Sequence, residues 1–142
     1  MYQKIILVGN LGSDPEMRYM PNGNAVTNFS LATNESYTDR ETGERVENAT
    51  WWRVSVWGKS AEACNQYLAR GARVLVEGKM KPDPATGAPK LFTRQDGTVG
   101  ASYEMTAFSV QFLTRASDMP GAGEGASGAG TTPDYEEDDV PF

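Results

Sequence analysis

One short segment carries aromatic and cationic side chains at a spacing suited to a flat, negatively charged ligand. Residues 50–57 read TWWRVSVW. In a strand, alternate side chains share a face, which places Trp51, Arg53, Ser55 and Trp57 together. If this face were buried, the Arg53 guanidinium would lie in apolar surroundings without a partner. An exposed face could stack nucleic-acid bases on the indoles and meet phosphate with the arginine. The alternative interpretation is that the tryptophans cover hydrophobic surface while Arg53 reaches outward to water.

The other face of this segment has a different character. Trp52, Val54 and Val56 alternate with the first set and predict a core or interface face. Two further aromatic residues, Tyr37 and Phe92, occur in polar, loop-like stretches with no obvious core to join. Each is either a local packing anchor or a base contact.

Basic residues are distributed around these aromatic positions. As a set interleaved with aromatic side chains they suit a groove that follows a phosphate backbone, although any one of them could be an ordinary surface charge. The predicted backbone contacts are Lys4, Arg18, Arg53, Lys59, Arg70, Arg73, Lys79, Lys81, Lys90 and Arg94.

The residues available for catalysis are few. The chain has no histidine and one cysteine, Cys64, so an intrachain disulfide and the usual metal sites are ruled out, and the commonest general base is missing. Residues 58–60 (GKS) resemble the end of a phosphate-binding loop, but Arg53 stands where its leading glycine belongs. We therefore expect neither an enzyme nor a bound cofactor or metal.

The charge is divided unevenly along the chain. Residues 1–115 hold all 13 basic residues and 12 of the 19 acidic ones, whereas residues 116–142 hold seven acidic residues and no basic one. Residues 116–133 are rich in Gly, Ala, Ser, Thr and Pro, which predicts a flexible linker. Residues 134–142 (DYEEDDVPF) form an acidic tip with an apolar end. The acidity therefore belongs to a tail, and residues 1–115 form the predicted folded domain.

No apolar run approaches the length needed to cross a bilayer, and the N-terminus lacks the apolar core of a secretory signal. We expect a cytoplasmic protein with no membrane partner.

The folded part is predicted to be mainly β-structure. Strands are expected at residues 4–11, 25–35, 46–57, 73–80 and 102–114, with one short helix at about 60–69 before Gly71 and a proline-containing loop at 82–89. The last strand is expected to place Phe108 and Val110 on one face. Three strands, a helix and two strands match the order of an OB-fold, a five-stranded Greek-key barrel whose open face binds oligonucleotides.

The sequence resembles the bacterial-type single-stranded DNA-binding protein family over nearly all of residues 2–112 and the end of the tail. So many matching segments in one order make the resemblance specific. They are residues 6–12 (ILVGNLG), 14–19 (DPEMRY), 21–23 (PNG), 29–33 (FSLAT), 51–54 (WWRV), 57–59 (WGK), 67–68 (YL) and 76–78 (VEG).

The resemblance implies an OB-fold protomer that assembles into a homotetramer and wraps single-stranded DNA without sequence preference. It places Tyr37, Trp51, Trp57 and Phe92 at stacking positions. Tyr37 and Phe92 stand where tryptophan is frequent, and Trp57 where phenylalanine is frequent, but each still offers a ring. At Trp52 some relatives carry a histidine involved in subunit contacts.

The resemblance also gives the tail a function. In the family the acidic tip docks on proteins of replication, recombination and repair. The matching residues here are Asp138, Asp139, Val140, Pro141 and Phe142. A terminal phenylalanine can fill an apolar pocket while its carboxylate and the neighbouring aspartates meet basic residues. The alternative is a solubilising tail with an accidental apolar end.

Three rival functions remain open at this point. An OB-fold RNA-binding or cold-shock-like module would differ in its preference for RNA. A primosome-type subunit would act through protein contacts, but the aromatic and cationic face argues for a ligand. A hydrolase or nuclease is disfavoured by the missing histidine and metal cluster.

Overall fold

The computed structural model describes residues 1–114. The predicted linker at 116–133 and the predicted tip at 134–142 lie outside the described residues. Within the described part, no helix combines the length and the apolar character that a membrane crossing requires.

Seven strands and one helix make up the domain. In chain order they are β1 (Ile5–Leu11), β2 (Glu16–Tyr19), β3 (Ala25–Thr38), β4 (Arg45–Trp57), α1 (Lys59–Tyr67), β5 (Arg73–Met80), β6 (Lys90–Thr93) and β7 (Val99–Phe112).

Five of the strands close a barrel. The order around it is β1-β5-β7-β4-β3, and β3 returns to pair with β1 at Asn10 and Leu11. The neighbours run antiparallel except for β4 and β7, which are parallel. Strand β2 is added beside β3, and β6 forms a hairpin with β7. This closed five-stranded barrel with one short helix confirms the predicted OB-fold.

The barrel interior is a single apolar core. Val54 and Val56 of β4 are buried, and Trp52 packs partly buried against the same core, with its ring 5.3 Å from that of Tyr103. The predicted core face of this segment is therefore confirmed. Helix α1 adds Ala61 and Cys64 to the core.

Two strands were missed by the sequence analysis. Both β2 and β6 are only four residues long, and none of the four residues of β6 is buried. Short polar strands lack the apolar alternation from which a strand is predicted. As a result Phe92, expected in a loop, lies in β6, and Tyr37 lies near the end of β3, which extends three residues beyond its predicted end.

The predicted end of the helix was also wrong. Helix α1 stops at Tyr67 and Leu68 is already extended. Gly71, with φ of 90°, belongs to a separate turn in which the Ala72 N–H donates to the Ala69 carbonyl oxygen. A left-handed glycine suits the third position of such a turn as well as it suits a helix end, so the sequence alone did not distinguish the two.

A β-bulge changes the faces of β7. Residues 77 and 78 of β5 pair with Ser109 and Ala107, which leaves Phe108 as an extra residue. Phe108 is therefore exposed, whereas Val110 packs against the core. The prediction that these two residues share a face is wrong, because a bulge reverses the alternation that follows it.

Candidate nucleic-acid interface

The outer face of β4 presents the aromatic and cationic side chains together. Trp51 and Trp57 are 56% and 42% exposed, and Arg53 lies between them with its side chain 67% exposed. The two indoles are six residues apart, which is roughly 20 Å along an extended strand. Arg53 thus lies on an open face bounded by two half-exposed rings, whereas Ser55 on the same side of the strand is only 5% exposed. We call Trp51, Arg53, Ser55 and Trp57 the stacking face.

Neighbouring strands extend this face sideways with polar groups. Ser30 and Asn28 of β3 pair with Arg53 and Ser55, and the Ser55 hydroxyl donates to the Asn28 side-chain oxygen at 2.7 Å. On the other side of β4, residues 104 and 106 of β7 pair with the same two positions. The middle of the outer face is therefore polar, while apolar rings bound its ends.

A groove of about 570 Å³ runs over this polar region. Four of the predicted phosphate contacts come together along it, from β2, from β4, from the residue just after β5 and from the start of β6. They are Arg18, Arg53, Lys81 and Lys90. Cations from four separate elements converging on one groove give the geometry needed to hold a polyanion along its length.

Carboxylates moderate the charge of the groove. Asp14, Glu16 and Glu104 also line it. Glu104 is buried, and its oxygen lies 3.9 Å from the Arg53 guanidinium, at the limit of an ion pair. At that separation, with its side chain 67% exposed, the Arg53 guanidinium stays accessible to a ligand. The groove has only one more cation than it has carboxylates, so its suitability for anions depends on the placement of the cations rather than on a large excess of them.

Tyr37 and Phe92 lie on two separate extensions of the barrel. Tyr37 is 51% exposed and belongs to the long β3–β4 hairpin, where it pairs with Val46. Phe92 is 46% exposed and lies on the β6–β7 hairpin, paired with Gly100. The Lys90 side chain of the same strand lines the groove. The hairpin carrying Phe92 therefore continues the groove.

The other predicted phosphate contacts are more dispersed. Lys79 lies on β5 opposite Thr106, on the row that continues through Ser55. Lys4 pairs with Glu77 at 3.2 Å. The Arg73 side chain donates to the Asn10 side-chain oxygen at 3.4 Å.

Three more cations lie near element ends or rings. Lys59 begins α1. Arg70 lies in the turn after the helix, and its backbone N–H donates to the Asp14 carboxylate. The Arg94 guanidinium sits 5.4 Å from the centre of the Phe92 ring and donates to the Val99 carbonyl oxygen at 3.1 Å. None of these three lines the groove beside Arg53.

Residues that the sequence analysis passed over complete the groove. Ser13, Asn28 and Ser30 line it, and the Ser13 and Ser30 hydroxyls are 3.0 Å apart. Alternation along β3 could have found two of them, because Asn28 and Ser30 flank the core residue Phe29.

The thiol of Cys64 is buried and protonated near neutral pH. Burial raises the pKa of Cys64 to about 11, so the side chain is an uncharged thiol near neutral pH. Within residues 1–114, no group of three His, Cys, Asp or Glu side chains is placed to hold a metal ion.

Comparison with known proteins decides the family. The sequence model described as the single-strand binding protein family matches residues 2–113. The chain belongs to the single-strand binding protein family. The match covers the whole barrel together with both hairpins that carry Tyr37 and Phe92. It confirms the resemblance found in the sequence.

A solved structure agrees with this membership. The structure described as Plasmodium falciparum SSB in complex with ssDNA is similar to this family member with a TM-score of 0.64 and 27% sequence identity. The similarity covers 80% of this chain and 97% of that chain.

Proposed function

We propose that this protein binds single-stranded DNA without sequence preference, protects it, and catalyses no reaction. The observation that carries the proposal is the stacking face beside the cationic groove. Stacking rings accept any base, because every base has a π-face, and the groove cations meet the backbone that all sequences share. Family membership and the similarity to a protein solved with ssDNA support this function.

The proposal predicts a steep dependence on salt. For single strands, the logarithm of affinity falls with the logarithm of salt concentration with a slope of about −0.7 per phosphate neutralised. If the four groove cations each neutralise one phosphate, binding of poly-thymidine should weaken roughly 50-fold between 50 and 200 mM salt. Quenching of tryptophan fluorescence measures the binding. Affinity that does not change with salt would rule out the groove as the DNA path.

We further propose that the chain assembles into a homotetramer. The outer face of β1 exposes Ile6 and Val8, which are 57% and 51% exposed. In the described part of the chain, only Asn10 and Leu11 of β1 pair with β3. The edge of β1 beside Ile6 and Val8 is therefore free of a neighbouring strand on that side. A free strand edge with apolar side chains favours association with a second copy.

The acidic tip is proposed to recruit proteins of replication, recombination and repair. Its sequence supports this role, because an apolar end behind adjacent aspartates suits a pocket rimmed by basic residues. The same tip carries the charge needed to compete with DNA for the groove of its own molecule.

This competition gives a direct prediction. Deleting residues 134–142 should tighten binding of poly-thymidine at low salt by about fivefold, the lower end of usual coupling between two sites. The difference should shrink at 200 mM salt, where charges are screened more strongly. A full-length variant with Asp138→Asn and Asp139→Asn should show part of the gain. Equal affinities with and without the tip at low salt would refute the competition.

A further inference from the structure

Two of the predicted stacking rings approach glycines of neighbouring segments closely. A Cβ atom added to Gly12 would overlap Cζ3 of the Trp51 indole and lie 2.8 Å from its Cη2. A Cβ atom added to Gly100 would lie 2.6 Å from Cζ of the Phe92 ring. Real Cβ atoms essentially never approach other atoms this closely. Each ring therefore occupies space that a side chain at its glycine would take.

The conformation of the backbone does not explain these glycines. Six glycines of the described part have positive φ, and Gly12 and Gly100 are not among them. Alanine could therefore adopt the backbone conformation at either position. Gly9 and Gly78 differ again, because their added Cβ atoms would meet the backbone carbonyl groups of Ala32 and Thr106. Among the glycines of residues 1–114, only Gly12 and Gly100 have an aromatic ring as the nearest obstacle.

The exposure of the rings fits this arrangement. Trp51 is 56% exposed and Phe92 is 46% exposed. A flat ring with one face against the protein and the other toward solvent exposes about half of its surface. Each residue is thus in contact with the protein at its glycine while about half of its surface stays exposed, where a base could stack.

Arg94 also lies against the second ring, close to Gly100. Its guanidinium lies 5.4 Å from the centre of Phe92, and an added Cβ atom on Gly100 would also lie 2.8 Å from Arg94 Nη2. The same guanidinium donates to the Val99 carbonyl oxygen at 3.1 Å and to the Thr98 hydroxyl at 3.4 Å. Arg94 was predicted to contact phosphate, but its contacts in the structure also fix the ring of Phe92.

We propose that Gly12 and Gly100 are positioning residues for DNA binding. The absence of a side chain lets Trp51 and Phe92 pack against the barrel at these glycines while about half of each residue stays exposed. Rings held in place before binding lose less conformational entropy when a base stacks on them. The inference rests on the proposed function, since it assigns to these glycines the orientation of the rings that stack bases.

A double-mutant cycle tests the proposal in the full-length protein. Binding of labelled oligo-thymidine is measured by anisotropy for Gly12→Ala, Trp51→Ala and the double variant, with melting temperatures recorded for each. Gly12→Ala should weaken binding about fivefold or more, the lower end of what one base–aromatic stack contributes. In the Trp51→Ala background the same change should have almost no effect, because the obstructing ring is gone. The matching cycle uses Gly100→Ala and Phe92→Ala.

The outcomes separate the two proposals. If Trp51→Ala binds like the unaltered protein, stacking of bases on Trp51 is refuted, and the positioning role of Gly12 is refuted with it. If Trp51→Ala weakens binding and Gly12→Ala does not, only the positioning role of Gly12 is refuted. A Gly12→Ala penalty that persists in full without Trp51 also refutes it. If Gly12→Ala fails to fold but the double variant folds, the clash between the added Cβ atom and Trp51 is confirmed. If Gly12→Ala and the double variant both fail to fold, that clash is refuted as the cause.

Discussion

Replacing Trp51 with alanine should weaken binding to oligo-thymidine by roughly 5- to 150-fold, the cost of losing one base–aromatic stack. Trp51 is exposed on the outer face of β4, at one end of the stretch that contains Arg53. Its ring contributes area for stacking but nothing to the barrel core, which Trp52, Val54 and Val56 occupy from the opposite face. The folded protein should therefore survive the substitution while binding is lost. Anisotropy of a labelled oligonucleotide at low salt measures the change.

A matched control is available on the helix. Tyr67 is 57% exposed, almost the same as Trp51, but it lies at the end of α1 rather than on the outer face of β4. Tyr67→Ala should leave the affinity within about twofold of the unaltered protein, as expected for a surface substitution away from the site. Equal losses in the two variants would show that the stacking face has no special role.

Replacing Ile6 with glutamate should convert the assembled protein into single chains. Ile6 is exposed in the isolated protomer and lies beside the free edge of β1, so the charge would be solvated in a monomer. In a symmetric contact the same residue is contributed by both partners, which brings two carboxylates into one apolar interface. Light scattering should show a fall from a multiple of the chain mass to 15.4 kDa.

Tyr19→Glu provides the comparison for this experiment. Tyr19 is as exposed as Ile6 but lies on β2, outside the outer face of β1. This variant should keep the mass of the unaltered protein. If the unaltered protein is itself a single chain at micromolar concentration, or if Ile6→Glu remains assembled, the face of β1 is not the contact between copies.

Much of the fold was accessible from sequence because apolar alternation is strong in the long strands. Residues 50–57 alternate clearly, and the structure places Trp51 and Trp57 outside and Val54 and Val56 inside, as predicted. The order of the long strands and the single helix was enough to predict the barrel. These features depend on local pattern and on the number of elements, both of which a sequence displays directly.

The remaining features depend on contacts between distant segments. Strand β6 has no buried residue, so only its pairing with β7 makes it a strand. The bulge at Phe108 follows from the register between β5 and β7, which alternation cannot reveal. The composition of the groove depends on the meeting of four elements. The sequence therefore marked Arg18, Lys81 and Lys4 alike as candidate phosphate contacts. It could not show that Arg18 and Lys81 share a groove whereas Lys4 pairs with Glu77.

The helix end shows the same limit on a smaller scale. Gly71 is a strong sequence marker for a change of direction, and the chain does turn there. What the sequence could not show is that Leu68 already leaves the helix and still reaches the core in an extended conformation. Burial of one apolar side chain can fix where a short helix stops, because the last turn of a helix is weakly held.

Competition at equilibrium should show whether the stacking face and the groove bind single-stranded DNA. Labelled oligo-thymidine bound to the full-length protein is displaced by unlabelled DNA single strand, RNA of the same sequence, or duplex DNA, at 50 and 200 mM salt. We expect displacement by single-stranded DNA at the lowest concentration, together with quenching of tryptophan fluorescence that Trp51→Ala reduces. Absence of binding and quenching even at 50 mM salt would rule out DNA binding by this face and favour a protein that acts through protein contacts. Displacement at lower concentrations by RNA would instead favour an RNA-binding module.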